Sequence, residues 1–240
     1  MVFKNNIPSS YGGGWILGER SQFGINILEA FRGGESSLII CVLLRVYHQY
    51  FGVTSFVVKP YQFGLHNKEA LQTGAFWFYY KLGFRPEDKQ LRAIAHEEEI
   101  QKQINPKYKS DLATLKKYTK SNLVLTLSDS TYPIFDAEEL SRRITHHINQ
   151  SFDGDRKMAI DVCYAQLKTI LGEKVLSAED IEYAKQISIL LHTIPNSLDW
   201  QRKHKKDIEK FIQLKSAKTE LPWTIHLQKF KAFWKVFETI

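Results

Sequence analysis

Residues 23–58, FGINILEAFRGGESSLIICVLLRVYHQYFGVTSFVV, decide the fold. The run Phe23-Gly24-Ile25-Asn26-Ile27-Leu28 is apolar and β-branched and predicts a strand. Arg32-Gly33-Gly34-Glu35-Ser36-Ser37 is too polar and too small to continue it. That stretch leads directly into an apolar helix from Leu38 to Tyr50, with Gly52 placed where a left-handed residue ends a helix. Ser55-Phe56-Val57-Val58 then predicts a second strand. A strand, a crossover helix and a second strand imply a parallel pair.

Outward from this core, Tyr11-Gly12-Gly13-Gly14 reads as a loop, Trp15-Ile16-Leu17 as a short strand, and Glu19 to Gln22 as a turn. On the other side, Pro60 to Asn67 reads as a loop and Lys68 to Leu82 as a second helix closed by Gly83. The unit is βαβα. Residues 1–85 hold 17 of the 31 aromatic residues and most of the 13 glycines. After Pro86 the vocabulary changes to Lys, Glu, Gln, Leu, Ile and Ala, which favour helix. The expected organisation is therefore α/β plus all-α, with a segment at 1–85 and a helical domain at 86–240.

Helix starts in the second part are expected at Pro86, Ser110 and Asp136, then at Asp153 or Asp155. Ser177-Ala178-Glu179-Asp180 resembles a capping box with Asp in place of Glu or Gln. Pro195 and Pro222 bound two further helices, and Asn122 to Leu127 is an apolar stretch of open type. Phe230, Phe233, Trp234 and Phe237 recur at i, i+3, i+4 and i+7, an amphipathic stripe. It either docks on the helical domain or serves a partner.

The net charge of +7 is unevenly spread. Residues 1–85 carry 8 Lys/Arg against 4 Asp/Glu, residues 86–200 carry 15 against 18, and residues 201–240 carry 10 against 4. The lysines near the C-terminus are scattered and no recognised module is present, so nucleic-acid binding is not expected. Cys41 and Cys163 read as buried free thiols rather than a disulfide framework. The N-terminus lacks the apolar run of a signal peptide, and no segment approaches the ~20 apolar residues of a membrane span. A cytoplasmic protein without a membrane role is expected.

A glycine-rich turn at a helix N-terminus offers backbone N–H groups and the positive end of the helix dipole, a site for phosphate. Residues 31–37 fit that description, or that of a plain tight turn with a serine cap. They lack the Gly-Lys-Ser/Thr of a Walker A loop and the G-x-G-x-x-G of a dinucleotide fingerprint. His146 and His147 are adjacent, point in different directions, and have no Cys or acidic partner at ligand spacing. No metal is expected. His96-Glu97-Glu98-Glu99 reads as a solvated helix face, and His66 is the histidine expected nearest the turn.

The stretch Gly74-Ala75-Phe76-Trp77-Phe78-Tyr79-Tyr80-Lys81-Leu82-Gly83-Phe84 carries a resemblance. Its Ala-x-x-Phe-Tyr-x-Lys-Leu-Gly-Phe resembles the helix that closes the acetyl-CoA site in the GNAT N-acetyltransferase superfamily. In that family an Arg/Gln-x-x-Gly-x-Gly/Ala turn upstream holds the CoA pyrophosphate. Here Gly34 and Ser36 match its central glycine and final small residue, while Phe31 stands where Arg or Gln is usual. The likeness covers residues 15–84. It implies acetyl-CoA as substrate, with Arg32, Gly33, Gly34, Glu35, Ser36 and Ser37 around its pyrophosphate. Tyr79 becomes the acid that protonates the leaving thiolate, and Glu29 a candidate base for an amine acceptor, either a small molecule or a protein. A degenerate, non-catalytic scaffold that binds a partner through the basic, aromatic C-terminal helices is the alternative. The family's last strands should follow Gly83-Phe84, where Pro86 reads as a helix start. A core so shortened predicts an open sheet edge beside Trp15–Leu17 or Ser55–Val58. Either a homodimer or the helical region would cover it.

Overall fold

A computed structural model of the chain describes residues 1–127, 137–172 and 176–236. The chain divides into two compact units, Met1–Ser130 and Thr131–Ile240.

In the first unit, β1 (Val2–Lys4), β2 (Ile7–Leu17) and β3 (Arg20–Ile27) form an antiparallel ribbon. Helix α1 (Ser36–Phe51) crosses over to β4 (Ser55–Val58), which pairs in parallel with β3, as the sequence predicts. Gly52 ends α1 in the left-handed conformation at φ 68°. All four residues of β4 are buried, as befits a central strand. Phe56 and Val58 join Ile40, Phe63, Phe76 and Tyr118 in the core.

Several expectations are corrected. The glycines Gly12 to Gly14 lie within β2 rather than in a loop, because side chains at two of them would collide with neighbouring atoms. A Cβ on Gly12 would lie 2.5 Å from the Gly24 carbonyl oxygen, and one on Gly14 2.8 Å from the Tyr47 ring. The single helix expected from Lys68 to Leu82 is two, α2 (Lys68–Gln72) and α3 (Ala75–Lys81). Gly74, at φ 67°, breaks it. Pro86 does not start a helix but lies in β5 (Arg85–Pro86), and Asp88 caps α4 (Lys89–Ile104) instead. Asp111, not Ser110, caps α5 (Leu112–Tyr118). The stretch left open at 122–127 contains β6 (Leu123–Thr126).

The position of β6 moves the domain boundary. The sheet order is β1-β2-β3-β4-β6-β5, with β6 antiparallel to both neighbours. The sheet therefore needs residues well beyond 85, and the first unit runs to Ser130. Of the two edges expected to be open, the one beside Ser55–Val58 is not, because β4 lies between β3 and β6. Beside Trp15–Leu17 the edge is open as expected: β1 pairs only with Ile7–Ser10 of β2, and among the described residues no strand pairs with Trp15–Leu17 on the side away from β3.

Glu98 is not on a solvated face. It is 7 % exposed and accepts hydrogen bonds from Tyr118 Oη (2.6 Å), Tyr108 Oη (2.7 Å) and Ser110 Oγ (3.0 Å). Three hydroxyl donors offset the cost of burying its carboxylate.

The second unit is helical: α6 (Ala137–Phe152), α7 (Arg156–Leu171), α8 (Ala178–His192), α9 (Ser197–Lys203), α10 (Lys205–Lys215), α11 (Leu221–Lys229) and α12 (Lys231–Lys235). Asp155 caps α7, and Ser177 with Asp180 forms the expected capping box of α8. The cap expected at Asp136 lies outside the described residues, as does Phe237. The rest of the aromatic stripe is buried: Phe230 stacks on Trp200, and Phe233 stacks on Phe211. These rings hold the unit together and are not free to receive a partner. Of the two cysteines, Cys163 is buried but Cys41 is exposed. Among the described residues, no helix is long and apolar enough to cross a membrane.

Candidate active site

The parallel strands β3 and β4 share only three rungs, Arg20–Ser55, Ser21–Phe56 and Gln22–Val57. Beyond these, β4 ends at Val58 and the chain turns away through a 3-10 turn at Pro60–Phe63, while β3 continues to Ile27. The strands part at their C-terminal ends, the usual place for a ligand crevice in an α/β sheet. A cleft of about 1020 Å³ occupies the gap. Its lining includes Gly24 to Ile27 of β3, the turn residues Arg32, Gly33 and Ser36, Tyr61 and Gln62 after β4, and Glu69, Phe78 and Tyr79 from α2 and α3.

Two parts of the predicted site therefore meet: the glycine turn and Tyr79 line one cleft. Gly33 adopts φ 115°, a conformation suited to glycine. Its N–H donates to Ser36 Oγ, and the Ser36 N–H donates back to the Gly33 carbonyl, each at 3.2 Å. These two amides are thus engaged within the turn. The N-cap residue of α1, Glu35, makes no side-chain capping hydrogen bond among the described residues. Tyr79 is 4 % exposed and donates its hydroxyl to Gln62 Oε1 at 3.4 Å. Burial pushes its phenol up to about 12.

Other predicted residues lie apart. Gly34, Glu35 and Ser37 are not in the lining, and Glu35 forms an ion pair with Lys4. Glu29 sits exposed in a 3-10 turn, Glu29–Phe31, outside the lining, because the chain leaves β3 before reaching it. His66 is also outside. Arg32 donates from Nε to the Ile27 carbonyl at 2.9 Å and pairs with Glu69. Glu69 is the carboxylate among the described lining residues. Sequence reasoning missed Glu69 and Gln62, whose surroundings contain no motif. Asn67 gave a weak signal, since it caps α2 by accepting from the Ala70 N–H.

The expectation that His147 lacks a cysteine partner also fails in space. Cys163 and His192, from other helices of the second unit, lie beside it.

No family model, curated protein or solved structure matches the chain.

Proposed function

We propose that the cleft binds acetyl-CoA and that the chain transfers the acetyl group to an amine. The observation that carries this reading is the meeting of the glycine turn at the α1 N-terminus with Tyr79 in one cleft. The helix dipole favours an anionic phosphate group at the turn, where Arg32 is already paired with Glu69. Support also comes from the two strands, β5 and β6, that follow Gly83-Phe84 after all, with α4 and α5 between them.

The acid–base roles follow from the lining. A thiol near pKa 8.5 is a stronger acid than a phenol at about 12, so complete proton transfer from Tyr79 to a thiolate runs uphill. Tyr79 instead donates a hydrogen bond to sulfur as negative charge develops there, leaving Gln62 to do so. The exposed Glu29 is too far out to line the cleft, and Glu69 is held by Arg32. The acceptor amine therefore enters as its free base.

Release of free CoA thiol from acetyl-CoA, followed across a panel of amines, tests this function. Amine-dependent release supports it. Acetyl-CoA binding without release by any amine favours the non-catalytic scaffold instead.

A further inference from the structure

His147, Cys163 and His192 come from three helices, α6, α7 and α8, of the second unit. One ligand atom from each lies within 4.8 Å of the others. His147 Nε2 and His192 Nδ1 are 2.9 Å apart, with ring centroids at 5.0 Å. Cys163 is 2 % exposed and forms no disulfide. Phe152 presses against both imidazoles, and Ile148, Ala159 and Ile189 complete an apolar wall.

We propose that His147, Cys163 and His192 form a three-ligand site for a borderline-soft divalent cation of the zinc class. Two imidazole nitrogens and one sulfur suit zinc, and the group contains no carboxylate to favour magnesium or calcium. Around tetrahedral zinc, N···N and N···S separations are about 3.3–3.6 Å, from bond lengths of about 2.0–2.3 Å. The imidazoles need to part by about 0.4 Å, and the sulfur, which lies within 4.8 Å of both nitrogens, to close by no more than about 1.2 Å. Three protein ligands leave a fourth position for water or an added ligand.

The proton balance is simple. Without metal, one imidazole donates to the other. For both nitrogens to ligate, the shared proton moves to the other nitrogen of its ring. On His147 that is Nδ1, which lies 3.4 Å from Ser151 Oγ and gains an orienting partner there. The Cys163 thiol loses its proton to the buffer as the metal–sulfur bond forms.

This inference is independent of the cleft in the first unit. Its test uses the full chain, stripped with a chelator and titrated with zinc, then with cobalt as a spectroscopic substitute. One equivalent of zinc should bind and raise the melting temperature. Cobalt should give a near-ultraviolet thiolate-to-metal charge-transfer band. Cys163→Ser should abolish that band, whereas Cys41→Ser should leave it. His147→Gln, at a partly exposed position, should lower zinc affinity by more than about 100-fold, beyond the loss expected for an outer-shell partner. It serves as the readout if Cys163→Ser fails to fold. Absence of zinc binding by the folded chain, a band that survives Cys163→Ser, or unchanged affinity in His147→Gln would overturn the site.

Discussion

Gln22 faces Val57 on the last rung that β3 and β4 share, and beyond it the two strands part. That divergence creates the cleft. It also brings a turn from one end of α1 beside a tyrosine from α3, two features more than 40 residues apart in the chain. The cleft's shape follows from β4 being short and from the chain turning away at Pro60.

The turn itself can be tested through stability. Gly33 holds φ 115°, whereas a Cβ on either Gly33 or Gly34 would meet nothing within 4 Å. Gly33→Ala should therefore cost about 1–3 kcal/mol through backbone strain alone. Gly34→Ala should change stability by less than about 0.5 kcal/mol. Urea unfolding of the two variants measures the difference, and equal stabilities would contradict the geometry.

Glu98 predicts an effect of comparable size away from the cleft. Glu98→Gln keeps the shape but replaces one acceptor oxygen with a donor facing hydroxyl donors. Stability should fall by about 1–3 kcal/mol. Chemical denaturation checks this, and an unchanged midpoint would return Glu98 to the solvated role that its sequence neighbours imply.

The contrast between these sites shows what could be read before the structure. The β3–α1–β4 crossover was legible because strand, glycine turn, helix and Gly52 stop are consecutive and locally encoded. The α8 capping box was legible for the same reason. Gly12 to Gly14 misled because glycine marks both turns and close strand approach, and only the facing Gly24 and Tyr47 distinguish them. β5 and β6 are two and four residues long and pair across the helices α4 and α5, so no local period announces them. Within the candidate site, Gly33, Ser36 and Tyr79 carried motif signals. Glu69 did not, because an acidic residue in the first turn of a helix is ordinary and only the fold brings this one to the cleft. His147 and Cys163 escaped for a related reason: their separation in sequence has no ligand spacing, and the helix bundle alone joins them.

Tyr79→Phe separates catalysis from packing. It retains the ring and removes the donor, so stability should change by about 1 kcal/mol. If the hydroxyl stabilises the departing sulfur, kcat should fall by roughly 10²–10³ while acetyl-CoA affinity stays nearly constant. Steady-state kinetics with any productive amine provides the check, and an unchanged kcat would make Tyr79 a core residue only.

The pH profile follows from the same assignments. With no free carboxylate among the described lining residues, the rate should rise tenfold per pH unit up to the pKa of the acceptor amine and then level. The Tyr79 phenol, at about 12, remains protonated over that range. Its raised pKa means that the folded state holds the proton more tightly than the unfolded state. Stability is therefore unaffected below about pH 10 and declines as pH rises from 10 toward 12. A rate plateau well below the amine's pKa would reveal a protein base missing from this account.

The most direct measurement is calorimetric titration of the full chain with acetyl-CoA, set beside the same titration of Thr73→Trp. Thr73 lines the cleft at an exposed position, so the variant should fold, and its indole should occupy space the ligand needs. The unaltered chain should bind one molecule of acetyl-CoA, and the folded variant should lose at least tenfold in affinity. No binding by the unaltered chain, or equal affinity in the two, would contradict it.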